Sequence, residues 1–112
     1  MACRVVHAAG VEIPLEPLPP EKLPGGAPRA GVVPLPGVGG LAVGVWEHTA
    51  GQSSDVEVDE VFVVLRGRAS IEVEGGPALV VGPGDLCVLE AGARTRWTVH
   101  EDLRKVFVCP AG

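Results

Sequence analysis

A chain of 112 residues, 46% of them hydrophobic, is long enough for one domain that buries about two-thirds of its unfolded surface. Sixteen glycines, eleven prolines, 4% aromatics and no sustained 3.6-residue periodicity describe short strands joined by tight turns, an all-β composition. The net charge of −5 speaks against nucleic acid or an anionic membrane as partner, since both reward lysine and arginine.

In chain order, residues 1–40 come first and hold eight of the eleven prolines, a density that forbids long helices or central strands. They are expected to form a Pro/Gly-rich arm wrapping a barrel made of residues 41–112. Within the arm, 3–13 (CRVVHAAGVEI) predicts one short edge strand carrying His7 as a surface side chain. Gly10 and Pro14 interrupt any secretory signal pattern, and no apolar run reaches membrane-spanning length, so the expected compartment is the cytoplasm. Residues 14–40 are too apolar to be solvated throughout and are expected to lie against the barrel. Cys3, Cys87 and Cys109 are odd in number and widely spaced, which implies reduced thiols, with Cys87 buried in a strand.

Residues 41–49 (LAVGVWEHT) predict a strand, partly apolar on both faces and therefore interior. Gly44 marks a bend or a close backbone approach. Trp46 and His48 share a face and are candidate pocket wall, with core filling and a turn hydrogen bond as the plainer roles. The segment that follows gathers Asp55, Glu57, Asp59 and Glu60, either as oxygen ligands for a hard cation or as a solvated face, the role expected of Glu57. If extended, it places Asp55, Glu57 and Asp59 on the side opposite Glu60. Residues 59–67 (DEVFVVLRG) are the stretch around which the rest is arranged: a buried strand entering a hairpin at Gly67. Glu60 shares a face with Phe62 and Val64, so its carboxylate needs a cation, a donor or water, or a solvated place at the strand mouth.

Beyond Gly67, 68–74 and 77–81 read as a hairpin around Gly75-Gly76, with Ala69, Ile71 and Val73 facing in. Gly82-Pro83-Gly84-Asp85 fits a type II turn, proline at the first central position and glycine at the second. Strands 86–90, 95–100 and 103–110 follow, the last two joined at Glu101-Asp102. Strand after strand in hairpin order predicts a barrel or two-sheet roll.

Val45-Trp46-Glu47, Thr49 and Gly51, Asp59-Glu60 with Phe62, Leu65 and Gly67, Gly82-Pro83-Gly84-Asp85, Ala91-Gly92, Trp97 and Leu103-Arg104-Lys105 together resemble the cupin superfamily. Within it the chain is similar to the small single-domain group that includes the ureidoglycine aminohydrolase and ethanolamine-utilisation cupin domains. The resemblance covers about residues 40 to 110 and implies a jelly-roll-type β-barrel. It also implies a metal held by two histidines, a glutamate and a further histidine. Here those positions fall at Ser53, Asp55, Glu60 and Thr95, so the set is depleted of histidine. Glu60, His48 and Asp55 are the candidate ligands for a divalent Mn, Fe, Ni or Zn ion. The expected function is a small-molecule-binding barrel with a degenerate metal site, its mouth lined by Trp46, His48, Glu60, Phe62 and Trp97. The alternative is an enzyme acting on a small polar metabolite, with Glu60 or His48 as acid or base. A domain that only supports oligomer assembly is a third reading. Arg94 and Arg96 are candidates for holding a carboxylate ligand. Arg66 and Arg68 are expected to face solvent, and Glu47 is expected to pair with Arg104 or Lys105. The resemblance further implies a homodimer, with the arm or an edge strand as the contact.

Overall fold

Short β-branched runs punctuated by glycine turns fold here into sheet, each strand antiparallel to its neighbours. The structure, a computed structural model, describes residues 3–24 and 26–112; Met1, Ala2 and Gly25 of the predicted arm lie outside the described residues. The strands are β1 (Glu16–Pro17), β2 (Arg29–Leu35), β3 (Leu41–His48), β4 (Gly51–Val56), β5 (Glu60–Val73), β6 (Ala78–Val81), β7 (Leu86–Leu89) and β8 (Arg94–Pro110). Among the described residues no helix is long and apolar enough to cross a membrane.

Two layers share β5 and β8, which is the jelly-roll arrangement expected. In one layer β1, β2 and β3 continue into residues 103–110 of β8, then the start of β5, then β7. In the other, β4 lies on residues 94–99 of β8, followed by the end of β5 and then β6. The inward faces meet in a core of Phe62, Val64, Ala69, Ile71, Val81, Cys87, Leu89, Trp97, Val99 and Leu103. Each large member contributes on the order of 1.5–3 kcal/mol by leaving water. Gly84, at φ +85°, and the bond from Asp85 N–H to Gly82 O at 3.0 Å confirm the turn predicted there.

Two predicted reversals are absent. The chain does not turn back after Gly67 or at Glu101-Asp102; β5 and β8 each run on through these points. Gly67 has φ +88°, and a Cβ on it would lie 2.2 Å from the Asp102 carbonyl oxygen. The two strands therefore touch backbone to backbone, with register shifts from Val64 to Ala69. Glycine in the left-handed region bends a strand at a bulge as readily as it reverses one, and local sequence does not separate the two.

The arm also differs from expectation. Residues 3–13 form no strand; Ala8–Gly10 is a single 3-10 turn. The strands of this region are β1, of two residues, and β2, which pairs with β3 from Ala30 to Leu35. Prolines were expected to forbid this, but β1 covers only Ala30 and Arg29, so Pro34 lies on an open edge where its missing N–H costs no ladder bond. The polar segment after β3, to which no strand was assigned from sequence, supplies β4, paired residue by residue with β8.

Arg104 ties the arm down. Glu47, Arg104 and Arg66 stand in register on the outer face of β3, β8 and β5. The Arg104 guanidinium, 5% exposed, donates to the carbonyls of Ala8 (3.1 Å), Ala9 (3.1 Å) and Val11 (2.7 Å), and to Glu47 Oε1 at 2.9 Å. Arg66 donates to the same Glu47 oxygen at 2.7 Å while remaining exposed, as expected. Farther along, Gly31 lets the arm pass: a Cβ there would lie 2.1 Å from the Pro14 carbonyl oxygen.

Candidate functional site

Alternation along β8 places consecutive cations on opposite faces, so Lys105 points into the barrel where Arg104 points out. Lys105 stands opposite Trp46 of β3 and Val64 of β5 and is 6% exposed. Its Nζ donates to Glu60 Oε2 at 2.6 Å. The same ammonium lies 4.2 Å from the Phe62 ring centroid, 4.6 Å from Trp46 and 5.1 Å from Trp97. Ring faces and a carboxylate both favour a cation, and together they replace the water it has lost. Phe107 completes the wall beside Gly44, where a Cβ would lie 2.5 Å from the ring. Gly44 is thus the close approach expected of it.

Glu57 also faces inward, contrary to the solvated role expected. The alternation that would have put it opposite Glu60 is broken after β4: Glu57 N–H donates to Ala93 O at 2.8 Å, and its carbonyl accepts from Gly92 N–H at 2.9 Å. This turn delivers the carboxylate to Thr95 Oγ1 (2.5 Å) and Trp97 Nε1 (3.0 Å), both neutral donors. Asp55 goes the other way, to Lys22 Nζ at 3.0 Å.

His48 is 1% exposed at the end of β3. Its Nδ1 lies 2.6 Å from the Thr49 carbonyl and its Nε2 lies 2.9 Å from Ser53 Oγ. A carbonyl only accepts, so the proton sits on Nδ1 and Nε2 accepts from the Ser53 hydroxyl. Burial, helped by the Lys105 charge, holds the imidazole below its ordinary pKa of 6.5 against the opposing pull of Thr49 O and Asp102. Burial raises the Cys87 thiol, with Glu57 and Glu60 adding to it and Lys105 opposing. Glu47 is raised by burial but lowered more by Arg104 and Arg66, and ends below 4.5.

These shifts set the acid response. The unfolded chain protonates His48 near 6.5 while the fold resists it, so His48 contributes fully above that pH and progressively less below it. Glu47 contributes in full above 4.5 and is lost as pH falls through its lower folded value. Urea midpoints between pH 8 and 3 should therefore fall in two stages, and His48→Gln should flatten the first. A curve unchanged in that window by the substitution would show that His48 charges freely in the fold.

The cavity bounded by these groups has a volume of about 220 Å³ and is lined by Val32, Trp46, Ser53, Asp55, Glu57, Glu60, Trp97, Lys105 and Phe107. Of the residues singled out from sequence, Trp46, Glu60, Trp97 and Asp55 are on it. Phe62 lies beneath Lys105 and His48 lies behind Ser53. Arg94 and Arg96 are exposed and line a separate outer groove with Glu72, Glu74 and Lys22, so they do not face the cavity. Lys105 and Glu57 were missed as site residues. Two adjacent cations look like a solvated surface, yet a period of two puts Lys105 on one face of the strand with Leu103 and Phe107.

The metal implied by the resemblance does not fit these side chains. His48 is committed to Thr49 and Ser53, Asp55 pairs with Lys22, and Glu60 faces an ammonium rather than an open coordination position. Ser53 and Thr95 supply hydroxyls, weak ligands for Mn, Fe, Ni or Zn beside imidazole or carboxylate. Among the described residues no group of three or more His, Cys, Asp or Glu side chains is placed to hold an ion.

Solved structures share this architecture. The EutQ protein of Clostridium difficile superposes with a TM-score of 0.73 at 18% identity, over 96% of this chain and 86% of that one. A putative ethanolamine utilization protein Q from Salmonella typhimurium gives 0.64 at 21% identity, over 75% of this chain and 72% of its own. A DUF861 family protein from Thermotoga maritima gives 0.54 at 30% identity, over 56% and 73%. No curated protein sequence matches the chain. The EutQ-like cupin domain model matches residues 38–107, most of the chain, including every cavity-lining residue except Val32 of β2. With its jelly-roll fold and ordered motifs, the chain belongs to the cupin superfamily, in the EutQ-like cupin family.

Proposed function

We propose that this cupin is a small-molecule-binding barrel that works without a metal ion, with the Lys105 ammonium seated on Glu60 in place of one. The observation that carries the reading is the Lys105–Glu60 contact of 2.6 Å inside an aromatic-walled cavity. At about 220 Å³ the cavity falls below the roughly 300–1,000 Å³ of sites for drug-sized ligands, so its ligand is a small metabolite.

Charge selects the ligand class. Lys105 neutralises Glu60 and Lys22 neutralises Asp55, while Glu57 is held by neutral donors and makes no ion pair among the described residues. The excess negative charge, beside Trp46, Trp97 and Phe107, favours a small amine over a carboxylate. Arg94 and Arg96, which would have favoured a carboxylate, stand outside. Proton transfer by Glu60 would first require breaking its pair with Lys105, so the binding role is better supported than acid–base catalysis by that residue.

Thermal-shift titration with short primary amines and short carboxylates tests this reading. Amines should raise the melting temperature of untagged protein, and Glu57→Gln should remove the effect. Stabilisation by carboxylates alone, or near-stoichiometric Mn, Fe, Ni or Zn in the dialysed protein, would overturn it. We also propose a homodimer through the outer face of the β3–β8–β5–β7 layer, where Leu41, Val61, Leu86 and Val88 are exposed. Sedimentation analysis that finds a monomer at micromolar concentration would remove that proposal.

A further inference from the structure

We propose that Ser53 is a nucleophile activated by His48, so that the barrel cleaves small acyl esters through an acyl-serine. Amine binding does not explain why a hydroxyl on the cavity wall should be paired with a buried, neutral imidazole. The arrangement has the parts that nucleophilic catalysis needs: a hydroxyl, a base within hydrogen-bond reach, and a third group that orients the base. Ser53 Oγ is 2.9 Å from His48 Nε2 and lines the cavity. Thr49 O, 2.6 Å from Nδ1, holds the proton on that nitrogen and leaves Nε2 free to accept. His48 is 1% exposed and Ser53 8%, so bulk water does not compete for the bond between them. Lys105 also lines the cavity, but its ammonium is engaged by Glu60 at 2.6 Å, so stabilising an acyl oxyanion requires that pair to open.

The chemistry balances without a co-reactant other than water. Ser53 Oγ bonds to the acyl carbon as its proton passes to His48 Nε2. The acyl carbon–alkoxy bond then breaks, and the leaving alcohol takes the proton from His48. Water attacks the acyl-serine, giving its proton to Nε2, and the carboxylic acid departs as Ser53 recovers its hydrogen. Substrates are limited by the cavity of about 220 Å³ to short acyl groups, and its aromatic wall favours an uncharged acyl chain.

The test uses the full untagged chain and an ethyl fluorophosphonate, followed by intact and peptide mass spectrometry. One adduct per chain on Ser53 is expected, with a matching burst of nitrophenolate from 4-nitrophenyl acetate. Ser53→Ala should abolish the adduct. His48→Gln should slow labelling by about 100-fold or more, the usual weight of a general base. Folded wild-type protein that takes no adduct on Ser53 overturns the proposal, whatever the variants do. Labelling of Ser53 at an unchanged rate in folded His48→Gln also overturns it. Amine binding is read by thermal shift on the same wild-type protein, so failure of labelling and failure of the binding reading are separately visible.

Discussion

Replacing Arg104 by alanine should lower the unfolding free energy by about 3–5 kcal/mol, as expected when one partner of a buried charged network is removed. The substitution strips donors from the carbonyls of Ala8, Ala9 and Val11 and takes from Glu47 its buried partner. Arg66 stays on Glu47, but its side chain is half exposed and it reaches the arm through one long contact to Ala9 O at 3.4 Å. Arg104→Lys should not restore the loss, because a single ammonium cannot reproduce a planar fork that spans a carboxylate and three carbonyls. Urea unfolding gives the magnitude, and amide hydrogen exchange over residues 3–11 gives the location. A loss within about 0.5 kcal/mol, the scale of an ordinary surface change, with the arm still protected, would show that apolar contacts hold it instead.

Lys105→Met should cost a similar amount, about 3–5 kcal/mol, for a different reason: it leaves Glu60 charged among aromatic rings with no partner. The informative comparison is the double substitution Lys105→Met with Glu60→Met, which removes both charges. Buried ion pairs replaced by apolar groups of similar volume are often close to neutral, so the double variant should recover most of the stability lost by the single one. Additive losses from the two single substitutions would mean that the pair is not coupled and that water reaches Glu60.

Much of the fold was legible because strand signals are local. The alternation of Ala69, Ile71 and Val73 against Arg68, Glu72 and Glu74, the Gly82-Pro83-Gly84-Asp85 turn and the apolar strand of Trp46 all depend on neighbours within a few residues. What stayed hidden depends on residues far apart in sequence. Gly67 bends rather than reverses because Asp102 lies against it, and Glu57 points inward because its backbone is fastened to Ala93 and Gly92. The site was half legible for the same reason. Glu60 betrayed itself as a carboxylate among core residues, while its cation arrives from a strand 45 residues later. Arg94 and Arg96 looked apt from their place near the second motif, but the parity of β8 turns both to solvent.

The last strand in sequence, β8, is a partner of β3, β4 and β5 at once. During synthesis from the N-terminus, β3 and β5 each emerge with one edge unmatched and β4 with both. Until β8 follows, the nascent chain can assemble only β1 and β2 on β3 and the short pairings of β5 with β6 and β7. Nor can Lys105 reach Glu60, or Arg104 the arm, before that point. Closure therefore waits for β8 and is set by pairings distant along the chain, which places the protein among slow folders for its length. Until then its unpaired β-branched edges are exposed to other chains, the state in which a holding chaperone would matter most.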